Sequence, residues 1–369
     1  MKKLDKDKIE KTYGIHKFKI PSREEQLSAM ALAGESTSTK KIICQEFEKY
    51  YDTIAAPDIG DWLMSHKEYG QTTSEYLNNG IVPIDSKRDT IYISSISFGE
   101  ESASLDQSFV NSILLICEAY FYGIKVRLLN KPINLNKYEI SLRVWEETKL
   151  QINANEILEC LYNELPHNAY CLLAFTDKDL YNDHNVIKPR NYIKNSNNIE
   201  EKNLKSYYNF CYGLSALKFR VGVVSFARYD PLFYSNTKLN PELPKHQEKI
   251  MKYFFILLKR ACKVVVKEVC HMFGLRNCIY FQCNMNGFNS MEEFDRKPFE
   301  ICPVCLRKLY TTISLKNCKI ENARIANPFV IYDRFCKLKD TLEENFYGIY
   351  ECEQQWYSAR FESLKNEFN

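Results

Sequence analysis

The residue types best suited to chemistry lie near the end of a long apolar and basic segment. Lys267 and His271 are four positions apart, and Glu268 follows the first of them. On an α-helix, residues at this spacing lie one turn apart on the same face, as two ligands of a helix-borne zinc ion do, with the glutamate as general base. Gly274 permits a sharp turn that could bring Asn277 back as a third ligand. The pattern indicates a degenerate metal site in which one expected ligand position, His271, still holds histidine.

The chain around this motif resembles the archaemetzincins, a family of metzincin-type zinc metallopeptidases. The resemblance extends over roughly residues 60 to 320 and includes Cys302-Pro-Val-Cys-Leu-Arg-Lys-Leu309. It implies an α+β, zincin-like fold with a mixed sheet, an active-site helix and a four-cysteine zinc site after that helix. The matching positions are Glu268, His271, Gly274, Cys278, Cys283, Met285, Cys302 and Cys305.

Two pairs of cysteines follow the motif: Cys278 with Cys283, and Cys302 with Cys305. Four thiolates are the donor set of a closed, tetrahedral structural zinc site. By resemblance this site holds the second, noncatalytic zinc of the family. Buried or reactive thiols without metal are the alternative interpretation. We expect one structural zinc per chain.

The motif departs from the family where the catalytic zinc would bind. The family has histidine at the position of Lys267 and commonly at that of Asn277. A lysine ammonium has no lone pair, and lowering its pKa from ~10.4 to ~7 so that it could ligate zinc costs roughly 4 to 5 kcal/mol. The carbonyl oxygen of an asparagine is a weak zinc donor. We therefore expect the catalytic zinc site to be lost or crippled.

Three further residues of the motif each have two interpretations. Glu268 is either the general base that acts on metal-bound water or a partner for the ammonium of Lys267. His271 is either a retained zinc ligand or a core histidine. Met285 either lies beneath the zinc, as the resemblance implies, or forms an apolar floor. The other histidines, such as His66, are remote in sequence and form no ligand spacing.

Charge and hydropathy narrow the classes of partner. Fifty Lys and Arg against 47 Asp and Glu leave a net charge of +3, which provides no broad basic field for nucleic acid. Apolar stretches such as that from Tyr253 to Leu258 are too short to cross a membrane. The first residues lack the apolar region of a secretion signal, so we expect a cytoplasmic or nuclear location that keeps the 14 cysteines reduced.

The elements that must position the motif alternate between strands and helices. Strand patterns occur near Thr90, Ile124, Ala169 and Val221, and a helical pattern runs from about 247 to 273. Alternation of this kind predicts a partly parallel sheet with helical cover. The strand at Val221 either pairs with extended substrate, as the resemblance implies, or is an ordinary sheet strand.

The chain is expected to contain one main domain with helical extensions at both ends. We assign residues 1–60 to a charged N-terminal extension, 61–320 to an archaemetzincin-like metallopeptidase domain and 321–369 to a C-terminal extension. Residues 182–206 are rich in Asn, Lys and Glu and are predicted to be a polar surface insertion.

Three functional hypotheses follow. The preferred one is a zinc-binding protein of the metallopeptidase family that is catalytically impaired and retains the four-cysteine zinc. The second is an active, aminopeptidase-like metallopeptidase that holds metal through His271, Asn277 and either Glu268 or a deprotonated Lys267. The third is a zinc-stabilised module that binds a peptide or protein partner, with no role for nucleic acid or membrane.

Overall fold

The computed structural model describes residues 17–31, 37, 40, 47–79, 81, 83–98, 105–145, 149–182, 210–233, 247–314 and 328–368. The chain divides into two compact units. The first joins Met1–Ser86 to Phe273–Asn369, and the second is Lys87–Met272. We call them the terminal unit and the central unit.

The described parts of both units contain helices, and the strands all lie in the central unit. The helices are α1 (Arg23–Met30), α2 (Phe47–Tyr50), α3 (Trp62–Ser65), α4 (Thr73–Asn79), α5 (Gln107–Tyr120), α6 (Ala154–Asn163), α7 (Gln247–Met272), α8 (Met291–Arg296), α9 (Pro303–Ser314), α10 (Pro328–Asn345) and α11 (Glu351–Phe368). The strands are β1 (Thr90–Ser97), β2 (Lys125–Leu128), β3 (Ile133–Asn134), β4 (Leu142–Trp145), β5 (Lys149–Asn153), β6 (Ala169–Thr176), β7 (Asp179–Tyr181), β8 (Gly213–Ala216) and β9 (Val221–Ser225).

The central unit contains a mixed sheet in the order β2, β1, β6, β9, β8, with β3 also pairing with β1. The β8–β9 pair is antiparallel and the other pairs are parallel. All eight residues of β6 are buried, as expected for an apolar strand that has sheet neighbours on both sides and is covered on both faces. The predicted α+β fold with a mixed sheet is therefore confirmed.

Helices cover both faces of this sheet, as the side chains of β9 show, because successive side chains of a strand point to opposite faces. Val221 and Val223 belong to the same buried apolar cluster as Ile157 and other residues of α6. On the opposite face, a Cβ atom added at Gly222 would lie 3.5 Å from the sulfur of Met272, in α7. The same Cβ atom would lie only 2.9 Å from side-chain atoms of Leu173 and Ser215, so the glycine leaves room for these two neighbours in the sheet.

The structure favours one of the two interpretations of the strand at Val221, that of an ordinary sheet strand. Strand β9 already pairs with β6 and with β8. Its hydrogen-bonding edges are therefore both used. Within the described residues, β8 is the strand at that end of the sheet.

A smaller sheet in the central unit has the order β4, β5, β7. A buried ion pair holds the first residue of β7, Asp179: Arg228 donates to both of its carboxylate oxygens at 2.8 Å. Gln151 in β5 donates to the same carboxylate at 2.6 Å, and the ring of Phe210 lies 3.7 Å from the guanidinium carbon. These contacts supply the hydrogen bonds that a buried charge requires.

In the terminal unit, described residues from the N-terminal part of the chain pack against the segment that follows α7. In α1, Gln26 donates to the carbonyl of Tyr280 at 2.8 Å. Beyond α2, the backbone amide of Gln282 donates to the carbonyl of Asp52 at 2.8 Å. The described parts of the predicted extensions thus lie within this unit, and the boundaries at residues 60 and 320 stay a prediction. Of the predicted insertion, residues 183–206 lie outside the described residues.

Helix predictions near the motif agree with the structure to within a residue or two. The pattern from about 247 to 273 is helix α7, and Gly274 has a φ of +90°, a conformation that suits glycine after a helix end. No helix among the described segments has both the length and the apolarity that crossing a membrane requires.

Candidate metal centre

The four predicted cysteines meet in the terminal unit. The sulfur atoms of Cys278, Cys283, Cys302 and Cys305 all lie within 4.8 Å of one another, and all four residues are buried. The Sγ atoms of Cys278 and Cys302 are 3.5 Å apart. A tetrahedral zinc ion with bonds of about 2.3 Å requires sulfur atoms roughly 3.8 Å apart. The cluster therefore needs only small adjustments to hold one zinc ion.

Backbone hydrogen bonds hold the loop that carries the first two cysteines. The amide of Cys278 donates to the carbonyl of Met285 at 2.9 Å. Asn286 accepts from the amide of Cys283 at 2.8 Å and donates to the carbonyl of Cys278 at 2.8 Å. These hydrogen bonds therefore close the loop on itself.

The sulfur of Cys283 accepts hydrogen bonds from the chain around it. The amide of Cys302 donates to it at 3.2 Å, and the amide of Met285 does so at 3.4 Å. Amide donors aimed at a sulfur stabilise its thiolate form. Met285 is buried at 0% exposed, and the contacts of its backbone link it to the cysteine cluster in this unit.

The electrostatics of the cluster favour a bound cation. Hydrogen bonds from the other three thiols lower the pKa of Cys278 well below its usual range, and the positive charge of Lys308 adds to this effect. Burial raises the pKa of Cys283 and of Cys302 well above that range. One thiolate is thus stable among buried thiols, but further thiolates need a positive charge at the centre. The donor set fits zinc.

Helix α7 presents the candidate catalytic residues in the central unit. Lys267 is 4% exposed, whereas Glu268 and His271 are half-buried. The hydroxyl of Ser215, in β8, donates to Oε2 of Glu268 at 2.5 Å. The carboxylate at the base position is therefore tied to the strand at the end of the sheet.

Other groups of the central unit respond to the charge of Glu268. Burial, and then the charge of Glu268, raise the pKa of Tyr229 well above its usual range. Burial also raises the pKa of Cys211 to about 12, with Asp179 and Glu268 adding to the effect. Both groups therefore stay protonated at neutral pH.

Asn277 has its own partner in the terminal unit. Its amide nitrogen donates to Oε1 of Glu68 at 2.8 Å, and the indole nitrogen of Trp62 donates to the same oxygen at 2.8 Å. The ring of His66 stacks on Trp62 with centroids 3.5 Å apart. His66, which is remote in sequence, is thus linked to Asn277 through Trp62 and Glu68.

Sequence reasoning did not identify Ser215 or Glu68 as partners of the motif. Ser215 precedes Glu268 by 53 residues, and Glu68 precedes Asn277 by 209. Neither residue has a spacing or a motif that marks it. The one sequence signal for Ser215 was a short polar side chain in an otherwise apolar strand.

The described residues contain one group of three or more His, Cys, Asp or Glu side chains placed to hold a metal ion. That group is the cysteine cluster. His271 belongs to no such group within the part of the chain that the structure describes. The structure thus brings the four predicted cysteines together, and among the described residues it places His271 outside any comparable group.

Comparisons with known proteins identify the family. The model of Peptidase family M54 matches residues 178–311. Archaemetzincin-2 of Pongo abelii is 34% identical over 275 residues, which are 71% of this chain and 69% of that protein. Archaemetzincin-2 of Mus musculus is 32% identical over 277 residues, 71% and 70% of the two chains.

A solved archaemetzincin from Methanopyrus kandleri is 20% identical, with a TM-score of 0.39, and the match covers 62% of this chain and 97% of that one. The sequence relatives alone are sufficient for the assignment, because they exceed 30% identity over more than two thirds of their own length. The chain belongs to the archaemetzincin family.

Proposed function

We propose that this chain is a zinc-binding archaemetzincin that retains a structural zinc in its cysteine cluster and has a lost or weakened catalytic metal site. The observation that carries the proposal is the contrast between the two sites. Four buried sulfur atoms lie within 4.8 Å of one another in the first. In the second, a lysine that is 4% exposed occupies a ligand position.

Cys278, Cys283, Cys302 and Cys305 would hold the structural zinc. Zinc in such a site contributes to folding, because the unfolded chain does not hold the four sulfur donors together and the metal therefore binds the folded chain preferentially. Two amides donate to the sulfur of Cys283 and would help to stabilise its thiolate once a bound cation offsets the burial that raises the pKa of this thiol. We expect the reducing conditions of the cytoplasm or nucleus to keep the cluster available.

At the candidate catalytic site, peptidase chemistry needs a metal that lowers the pKa of a bound water to near ~7. Glu268 has the position of the base, and the hydroxyl of Ser215 orients its carboxylate. An ammonium at position 267 offers donors and no lone pair. Glu268 is therefore held in place, but the residues beside it do not provide the usual histidine ligands for zinc. This favours an impaired enzyme over an active one.

The zinc content of the purified protein tests this proposal. After mild chelation we expect about one zinc per chain by elemental analysis. Two tightly held zinc ions per chain would support the active metallopeptidase with a non-standard ligand set. If the protein retained no zinc, the cysteine cluster would not have its proposed role.

A second candidate function is the binding of an extended peptide by strand addition. Strand β8 pairs with β9 on one side and has no second strand partner among the described residues, which is the situation that peptide-binding sheets use. Hydrogen exchange of residues 213–216, measured with and without a library of extended peptides, would test it. Slower exchange that is abolished by Ser215→Pro but kept by Ser215→Ala supports strand addition, because proline removes a backbone donor. Exchange that is unchanged by the peptides argues against it.

A further inference from the structure

Glu300 connects the cysteine cluster to the C-terminal helices within the terminal unit. It is 6% exposed and precedes Cys302 by two positions. Its carbonyl accepts from the amide of Asn284 at 3.0 Å, next to Cys283. Its carboxylate accepts from the amide of Ile301 at 2.7 Å, next to Cys302. One residue thus joins the two chain segments that carry these cysteines.

The carboxylate of Glu300 is itself held by α10 and α11. Arg334, in α10, donates to both of its oxygens at 2.8 Å. Tyr357, in α11, donates to one of them at 2.5 Å. Both partners are 0% exposed. Burial and the charge of Glu300 raise the pKa of Tyr357, so its hydroxyl keeps the proton that it donates.

A buried carboxylate keeps its position only while its hydrogen bonds remain. If Tyr357 or Arg334 were lost, Glu300 would have to move toward water or toward other donors, because an uncompensated buried charge is strongly unfavourable. Any such movement would break the hydrogen bond from the amide of Ile301 and so loosen the backbone next to Cys302. The geometry of the cluster would then change without any change in its ligands.

We propose that Glu300 is a positioning residue through which helices α10 and α11 control how tightly the cysteine cluster retains its metal. The inference rests on the proposed structural zinc. It adds that Arg334 and Tyr357, more than 25 positions beyond Cys305, regulate this site although they provide no ligand. Release of the C-terminal helices, by a partner or by proteolysis, would therefore release the metal.

Tyr357→Phe in the full-length, zinc-loaded protein tests the proposal with minimal disturbance, since it removes a single hydroxyl. Tyr350→Phe is the matched control, because Tyr350 is equally buried and its ring packs against Phe299 and Phe346. The rate of zinc transfer to a chromogenic chelator is measured well below the melting temperature. Loss of a hydrogen bond to a charged group corresponds to about a tenfold faster release, whereas Tyr350→Phe should change the rate by less than about twofold.

A second measurement separates positioning from general stability. The visible spectrum of the cobalt-substituted protein reports the geometry of the four sulfur ligands, and we expect it to change in Tyr357→Phe but not in Tyr350→Phe. Equal release rates and equal spectra for the two variants would overturn the inference. A parent chain that holds no zinc would instead refute the proposed function itself.

Discussion

Replacement of Lys267 by histidine tests whether this one side chain blocks a second zinc ion. Lys267 lies one turn before His271 on α7, so the variant places two imidazoles at the spacing of helix-borne zinc sites. Lys263→His is the matched control. Lys263 and Lys267 are both 4% exposed, but residue 263 lies about 12 Å from residue 271 along the helix axis. It is too distant to share a metal with His271.

The expected gain in zinc affinity follows from the free energy needed to remove the proton that a lysine ligand must lose. A lysine with the ordinary pKa of ~10.4 must be deprotonated at pH 7, which at ~1.36 kcal/mol per unit costs about 4.6 kcal/mol. A histidine with a pKa of ~6.5 is already mostly neutral at that pH. We therefore expect Lys267→His to bind a second zinc about a thousandfold more tightly than the parent chain.

The assay is a zinc titration under chelator competition, with the cysteine cluster already loaded, at pH 7 and pH 8. A lysine ligand would release one proton on binding, so the parent's affinity would rise about tenfold over this interval. The affinity of Lys267→His should change little, because its imidazole is neutral throughout. The reasoning is refuted if the parent binds a second zinc as tightly as the variant, or if Lys263→His gains as much.

Two further substitutions test the stability of each unit. Cys302→Ser should remove on the order of 10 kcal/mol of zinc-dependent stability and abolish cooperative thermal unfolding of the terminal unit, while Cys352→Ser, at an exposed position, should leave the melting curve unchanged. Arg228→Met should lower the free energy of urea unfolding by about 3 to 5 kcal/mol, because it leaves the carboxylate of Asp179 buried without its ion pair. The control is Lys178→Met, which removes an exposed ion pair and should cost less than about 1 kcal/mol; equal effects of the two changes would contradict the role given to the buried pair.

The sequence by itself determined the features that depend on nearby residues. Spacing along one helix placed Lys267, Glu268 and His271 on α7, whose observed end at Met272 agrees with the predicted end to one residue. The apolar run at β6 predicted a buried strand, and the cysteine spacing predicted the four-sulfur cluster. These features could be predicted because periodicity, turn residues and ligand spacing are local properties of a chain.

Only the tertiary structure decided which polar groups hold these features in place. It paired Ser215 with Glu268 and Glu68 with Asn277, and among the described residues it placed β8 at the end of the sheet, next to β9. It also brought Arg334 to Glu300, 34 positions away. Isolated polar residues carry no periodic signal, and their partners are selected by the packing of distant elements that bury them together. The four clustered cysteines could therefore be predicted from the sequence, whereas the residues that position them could not.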